Sequence, residues 1–365
     1  MQIKKIGFIG LGLIGGSLVK TIRRVHPEIE MIAVSGREST IVAAYDQGLI
    51  TNCRNLELDS FCDCQYVFLC TPVQQNQRYL EQLKKVLNKD TIITDVGSVK
   101  GDIHSTIHSL GLESVFIGGH PMAGSEKTGL ENATSYLFEN AFYILTPGLG
   151  TSDLRVKEFF QFISSLGAIP IILDYKAHDH ATAAISHVPH IIASALVNLV
   201  RKTDDDRETM KMIAAGGFKD ITRIASSSPI MWEEICISNK DAILGTILSF
   251  QEELAEIVKT IQESKESAVL DFFQNAKDYR DSLSISSTIQ TRTIFEFYCD
   301  LIDEAGGIAA IATILASNRL SIKNIGIIHN REFEDGVLKI EMYDKESYHK
   351  SIEILRKYHY VIYER

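Results

Sequence analysis

Three glycines spaced as Gly10-x-Gly12-x-x-Gly15 close an apolar run and open a helical pattern. In that context the spacing suits a dinucleotide. Gly10 permits a tight turn, Gly12 lets the backbone approach a pyrophosphate, and Gly15 lets a helix lie close to the strand. The helix N terminus then favours the anion. A flexible surface turn is the bland alternative, and strand, helix and N-terminal position together weigh against it. The fingerprint expects an acid about 20 residues further on for the ribose 2′-hydroxyl of NAD. That place holds Ser35-Gly36-Arg37-Glu38-Ser39-Thr40. Arg37 with the neighbouring hydroxyls tips the choice between NAD and NADP toward the 2′-phosphate of NADP, and Glu38 reaching the ribose is the competing reading.

Further along, His187 and His190 stand three apart on one helical turn, a spacing that metal pairs also use. Without a third ligand nearby, satisfied core histidines outweigh zinc, and no metal is expected. Arg223 alone on a helix reads as a surface charge, and Trp232, the single tryptophan, reads by default as core. The six cysteines form no C-x-x-C pair and no dense framework, which points to a reducing compartment, the cytoplasm.

These residues need elements to position them. From residue 3 to about 173, short β-rich runs alternate with helical patterns, as in βαβ units around a mostly parallel sheet. The strand candidates are residues 3–9, 31–34, 66–70, 91–94, 115–117, 142–145 and 169–173. After Lys176 the pattern turns helical, with a Pro/His turn expected near Val188, a Gly-Gly turn at Gly216, and one long periodic stretch from about Asp241 to Tyr279. A polar run from Ser282 to Thr293 reads as a linker. The remainder follows a βαββαβ order, the split-βαβ, ferredoxin-like plan. The expected division is 1–175 for an α/β Rossmann domain, 176–283 for an all-α domain, 284–293 for the linker and 294–365 for an α+β domain.

With 365 residues, 45% hydrophobic and 23% charged, the chain is globular rather than disordered. Its formal charge of −10 disfavours non-specific binding to nucleic acid or an anionic membrane. The apolar run from Ile6 to Val19 imitates a signal peptide, but its five glycines and the following Arg23 and Arg24 argue against one. No other stretch is expected to reach the roughly 18 apolar residues of a membrane span.

Three longer motifs carry a more specific signal: Gly10-Leu-Gly-Leu-Ile-Gly-Gly-Ser17, Asp95-Val-Gly-Ser-Val-Lys100 and Gly118-Gly-His-Pro-Met-Ala-Gly-Ser-Glu-Lys-Thr-Gly129. They are followed in order by Ser186-His-Val-Pro-His190, Gly216-Gly-Phe-Lys-Asp-Ile-Thr-Arg223 and Pro229-Ile-Met-Trp232. Across residues 5 to about 280 the sequence resembles prephenate dehydrogenases, and the C-terminal unit resembles an ACT domain, a small amino-acid-binding module. The resemblance implies oxidative decarboxylation of prephenate to 4-hydroxyphenylpyruvate by a homodimer or higher homo-oligomer, with an NAD(P) cofactor. Arogenate, whose side chain is an amine rather than a ketone, is the neighbouring substrate; the run containing Glu126 favours prephenate.

Residue by residue, the resemblance implies that His120 hydrogen-bonds the substrate hydroxyl and that Ser98 sits between it and the nicotinamide. A serine N-cap for the helix after it is the structural alternative for Ser98. Arg223 would bind a substrate carboxylate, with His190, His187, Ser125, Glu126, Gly216 and Trp232 lining the pocket. The cofactor would be held by Gly10, Gly12, Leu13, Ile14 and Gly15, by Ser35 and Arg37, and by Thr71, Pro72 and Ser98. In the C-terminal unit, Gly306, Gly307, Asn324 and Ile325 would form a regulatory site for an effector, tyrosine. A β-hydroxyacid dehydrogenase using Lys219 is the nearest enzyme alternative, and a dinucleotide-binding sensor the non-enzymatic one.

Overall fold

The computed structural model describes residues 3–124, 127–285, 295–300, 306–328 and 337–364. The chain divides into two compact units, Met1–Lys259 and Thr260–Arg365.

The first unit begins with β1 (Lys5–Ile9), α1 (Leu13–Val25), β2 (Glu30–Val34), α2 (Glu38–Asp46), β3 (Tyr66–Leu69), α3 (Val73–Val86), β4 (Ile92–Asp95) and α4 (Gly101–Leu110). The four strands pair in parallel in the order β2-β1-β3-β4. Side chains alternate across this sheet. Ile6, Phe8, Tyr66 and Phe68 join one buried cluster, whereas Ile9, Val67 and Leu69 join the other. Helices cover both faces, which is why the strands read as unbroken apolar runs.

The unit continues with β5 (Ile117–Pro121), β6 (Phe142–Pro147), α5 (Asp153–Ser165) and β7 (Ile169–Ile172). A parallel bridge from Ile93 to Phe116 sets β5 beside β4; β5 and β6 are antiparallel, and β6 and β7 parallel. Sequence pattern places a strand at 115–117 and a Gly-rich turn after it. Instead the strand runs through Gly118-Gly119-His120, and residues 113–115 form a 3-10 turn. The glycines are needed for close approach. A Cβ on Gly118 would lie 2.3 Å from Thr146 Oγ1, and one on Gly119 would lie 2.6 Å from the Asp95 carbonyl oxygen.

Next come α6 (Tyr175–Thr182), a π-helical turn (Ala183–His187) and α7 (Val188–Thr203), which together form one continuous helix. The turn expected near Val188 is absent. Proline cannot donate to the turn before it and crowds the carbonyl four residues back; the wide π turn just ahead of Pro189 accommodates both. Because the helix runs on, Tyr175–Thr203 is long and apolar enough to cross a membrane by length and composition, with a mean hydropathy of 1.5 over an 18-residue stretch of it, contrary to the sequence expectation. It also buries His178, Asp179 and His187 in the polar network described below.

The helices α8 (Thr209–Ile213), α9 (Gly216–Thr222), α10 (Pro229–Ser238), α11 (Lys240–Gln262) and α12 (Glu266–Ile285) follow. Gly216 and Gly217 open α9 rather than make a turn of their own. The long periodic stretch is two helices, broken where Ser264 adopts a left-handed φ of 52°. Residues 284 and 285 belong to α12 rather than to a linker, and 286–293 lie outside the described residues.

In the second unit, β8 (Phe295–Asp300), α13 (Gly307–Ser317), β9 (Ile322–Ile328), β10 (Val337–Met342), α14 (Lys345–Lys357) and β11 (Ile362–Glu364) form an antiparallel sheet in the order β11-β8-β10-β9. That is the ferredoxin-like arrangement. Phe297, Cys299, Leu338 and Ile340 pack from the sheet against Ile311 and Leu315 of α13 and Ile352 and Leu355 of α14.

Candidate active site

In a parallel sheet the carboxyl ends of the strands share one edge, and ligands bind where the strand order reverses. Here that point lies between β1 and β3. The edge gathers Gly10 and Gly12 after β1, Ser35 after β2, Thr71 and Pro72 after β3, Ser98 after β4, and His120 near the end of β5.

The glycine turn has the shape a pyrophosphate requires. Gly10 has a φ of +98° and its N–H bonds the Val34 carbonyl at 2.8 Å. A Cβ on Gly15 would strike the Gly10 carbonyl oxygen at 2.3 Å, whereas Gly12 faces open space. The N terminus of α1, at Leu13 and Ile14, has neither a side-chain cap nor an acid in its first turn. The residues present therefore fit a dinucleotide. At the second strand end, Ser35 N–H donates to Asn55 Oδ1 at 2.9 Å and Asn55 N–H to Glu38 Oε1 at 3.1 Å. Glu38 thus holds the neighbouring loop, while Arg37 is exposed at the N-cap of α2. Thr71 Oγ1 donates to the buried Asn76 at 2.7 Å, and Pro72 caps α3.

Beneath His120 lies a buried polar network that sequence reasoning did not assign. The fully buried Lys100 donates to Asp95 Oδ2 and, at 2.7 Å, to the carbonyl of Gly119. Desolvation pulls the lysine below its ordinary value, and the facing Asp95 opposes that. Asp179 of α6 reaches across to the start of α4, accepting from Lys100 N–H at 2.8 Å and Gly101 N–H at 2.7 Å. Its Oδ1 lies 2.8 Å from His178 Nδ1, and His178 Nε2 lies 2.8 Å from His120 Nδ1. Asp179 therefore caps α4, and Ser98 does not: Lys100 is the N-cap residue, and Ser98, half-buried, remains at the strand edge. Burial, and then the neighbouring His178, Lys100 and His187, hold His120 well below the ordinary histidine value, so it stays neutral at pH 7.

Asn239, after α10, extends the network. Its Nδ2 donates to the Asp179 carbonyl at 2.8 Å and to His187 Nδ1 at 3.1 Å. Burial lowers His187 to about 4. His190 donates from Nδ1 to the Ser186 carbonyl at 2.9 Å and stacks on Trp232 with ring centres 3.9 Å apart. The Trp232 Nε1 is buried with no hydrogen-bond partner among the described residues. Arg223 is exposed in the 3-10 turn after α9, and both that turn and α9, with Gly216 at its start, pack against α7. His120, His178, His187, His190 and Trp232 are thus joined through one network; Ser125 and Glu126 lie outside the described residues.

The missed residues left a trace in the sequence. Asp95 and Lys100 frame the motif around Ser98, but a pair five apart across a loop looks like two solvated charges. His178-Asp179 falls where the two sequence patterns meet.

A Rossmann half joined to a helical half, with a neutral histidine at the same sheet edge as the glycine turn, has the organisation of a nicotinamide-dependent dehydrogenase. Residues 18–172 match the model of the prephenate dehydrogenase nucleotide-binding domain, and residues 174–275 that of the prephenate dehydrogenase dimerization domain. The chain is 38% identical over 333 residues to a prephenate dehydrogenase of Bacillus subtilis, covering 91% of this chain and 90% of that one. It is 35% identical over 359 residues to a prephenate dehydrogenase of Lactococcus lactis, covering 97% and 98%. Among solved structures, prephenate dehydrogenase of A. aeolicus in complex with hydroxyphenyl propionate and NAD+ matches with a TM-score of 0.73 at 29% identity, covering 78% of this chain and 99% of that one. Synechocystis arogenate dehydrogenase matches with a TM-score of 0.70 at 30% identity, covering 76% and 99%. The chain belongs to the prephenate dehydrogenase family.

Proposed function

We propose that this chain oxidatively decarboxylates prephenate to 4-hydroxyphenylpyruvate with NADP, a step toward tyrosine. The observation that carries the reading is His120, neutral and hydrogen-bonded from behind, at the same sheet edge as the glycine turn. A nicotinamide dinucleotide held by the Gly10–Gly15 turn would supply the acceptor for the hydride on the ring carbon that bears the hydroxyl. His120 takes the hydroxyl proton as the carbonyl forms, with Ser98 beside it. Aromatisation drives loss of the ring carboxylate as CO2. Arg223 holds a carboxylate of the dianionic substrate, for which a guanidinium fork is suited. His190, backed by Trp232, faces the rest of the molecule together with His187 and Gly216, and the motif around His120 assigns Ser125 and Glu126 to substrate binding by resemblance alone.

Exposed apolar side chains on the helices of the first unit, among them Leu199, Ile213, Ile221, Ile237 and Leu248, support a homodimer formed through this part. Six free thiols support a cytoplasmic setting. The domain limits proposed are 1–175, 176–285 and 294–365, the last an ACT domain.

Reduced cofactor formed by the purified chain from prephenate, arogenate and 3-hydroxy acids is the test. Turnover of prephenate well above the others is expected, and turnover of only a 3-hydroxy acid would replace the reading. Exposed Arg37, with Glu38 occupied by Asn55, supports NADP. Arg37→Ala should therefore raise KM for NADP and spare NAD; an equal loss with both cofactors contradicts that preference.

A further inference from the structure

The bonds behind His120 dictate which of its nitrogens carries the proton. Asp179 Oδ1 accepts from Lys100 N–H, and Oδ2 from Gly101 N–H. Toward His178 the carboxylate can again only accept, so the hydrogen of their 2.8 Å contact belongs to His178 Nδ1. With that hydrogen as its single ring proton, His178 offers a lone pair at Nε2. The contact of 2.8 Å from that atom to His120 Nδ1 requires the hydrogen to sit on His120 Nδ1. His120 Nε2 is left with its lone pair free.

We propose that His178 and Asp179 are positioning residues that lock His120 in its Nδ1–H tautomer, so that Nε2 is the atom that accepts the substrate hydroxyl proton. The inference rests on the dehydrogenase reading above and deepens it. The O–H bond breaks, its proton bonds to Nε2, and the oxygen electrons form the carbonyl as hydride leaves the same carbon for the nicotinamide. The imidazolium keeps its Nδ1–H bond to His178, with Asp179 behind.

The rest of the network keeps this line of groups in register. Lys100 ties the Gly119 carbonyl, one residue before His120, to Asp95. Asn239 ties the Asp179 backbone to His187. Among the described residues, the charged and titratable groups acting on His120 are His178 from α6, His187 from the π turn and Lys100 from the loop before α4, with Asp179 of α6 behind His178 and Asp95 of β4 behind Lys100. Two histidines hydrogen-bonded in series cannot both point their protons at the same contact, and Asp179 decides the direction.

Two measurements test this on the full-length chain. Nitrogen NMR of the wild-type protein labelled at its histidines, with signals assigned through His120→Asn and His178→Gln, should show both rings protonated at Nδ1 only. A doubly protonated His178, or a proton on His120 Nε2, overturns the proposal whatever any variant does. In kinetics, His178→Gln keeps an acceptor for His120 Nδ1–H and should stay within a few-fold of wild-type kcat. His178→Leu removes the acceptor and should lower kcat by about ten-fold or more, up to the roughly 10⁴-fold that a wrong tautomer costs a Ser-His-Asp triad, with KM for prephenate unchanged. Equal kcat in His178→Leu and wild type overturns the proposal while leaving the dehydrogenase reading intact; a wild-type chain that does not turn over prephenate removes the reading itself.

Discussion

At the residue scale, His120 sets two expectations. His120→Asn should lower kcat by about two to four orders of magnitude, the range for a lost acid–base group, with little change in KM for prephenate. A variant with near-wild-type kcat would take His120 out of the mechanism. In the proposed mechanism the neutral ring, protonated at one nitrogen only, is the active form, and burial lowers its pKa. The acid limb of kcat/KM should therefore fall well below the ordinary histidine value of about 6.5; a limb at or above that value contradicts the assignment. The buried histidines also bear on stability. His104, hydrogen-bonded to Thr146, and His187 are each lowered to about 4 by burial. Between that value and about 6.5 the unfolded chain binds more protons than the folded one, so stability is complete above the window and is lost as pH falls through it. Urea midpoints should decline as pH drops through this interval, and His104→Gln should flatten the decline. An unchanged slope would show that the histidine does not contribute. The sequence made His120 and Ser98 legible because they stand in motifs, whereas Asp179 meets Lys100 from 79 residues away, and no local pattern encodes that contact.

Elements were legible where periodicity decides them and illegible where tertiary contact does. The parallel strands announce themselves as apolar runs because helices bury both faces. β5 does not, because Gly118-Gly119 looks like a turn until its neighbours are known. The same holds for Pro189, which reads as a break and lies inside a helix because a π turn precedes it. Gly119→Ala tests the packing account of β5. The new Cβ would lie 2.6 Å from the Asp95 carbonyl oxygen and 2.9 Å from Tyr143 Cε1, and the first of these is backbone that cannot swing aside. The strand must shift, which should cost about 1–3 kcal/mol in stability and lower kcat by displacing His120. Alanine at Gly124, where nothing lies within 4 Å of the added Cβ, is the control for stability. If Gly119→Ala melts with the wild type, close packing is not what requires glycine.

At the scale of the whole molecule, every group placed at the candidate site among the described residues precedes Lys259 and so belongs to the first unit. The second unit has its own core and a closed ferredoxin-like order, which supports an independent task. The proposed task is to sense tyrosine. Gly306, with a φ of +98°, caps α13 at Gly307, and Asn324 and Ile325 lie on β9 opposite Glu341 and Ile340; Asp303 to Ala305, before that cap, lie outside the described residues. A helix start at a glycine turn offers N–H groups to a carboxylate. Sensing demands more than binding: tyrosine must favour one conformational state over another, because a ligand with equal affinity for both shifts nothing. A chain ending at Ile285, the last residue of α12, retains both matched family domains. It should keep wild-type kcat and lose inhibition by tyrosine. Inhibition that persists unchanged would place tyrosine in the first unit, where it resembles the product. Full-length enzyme that ignores tyrosine and phenylalanine at millimolar levels would leave the second unit without a regulatory role.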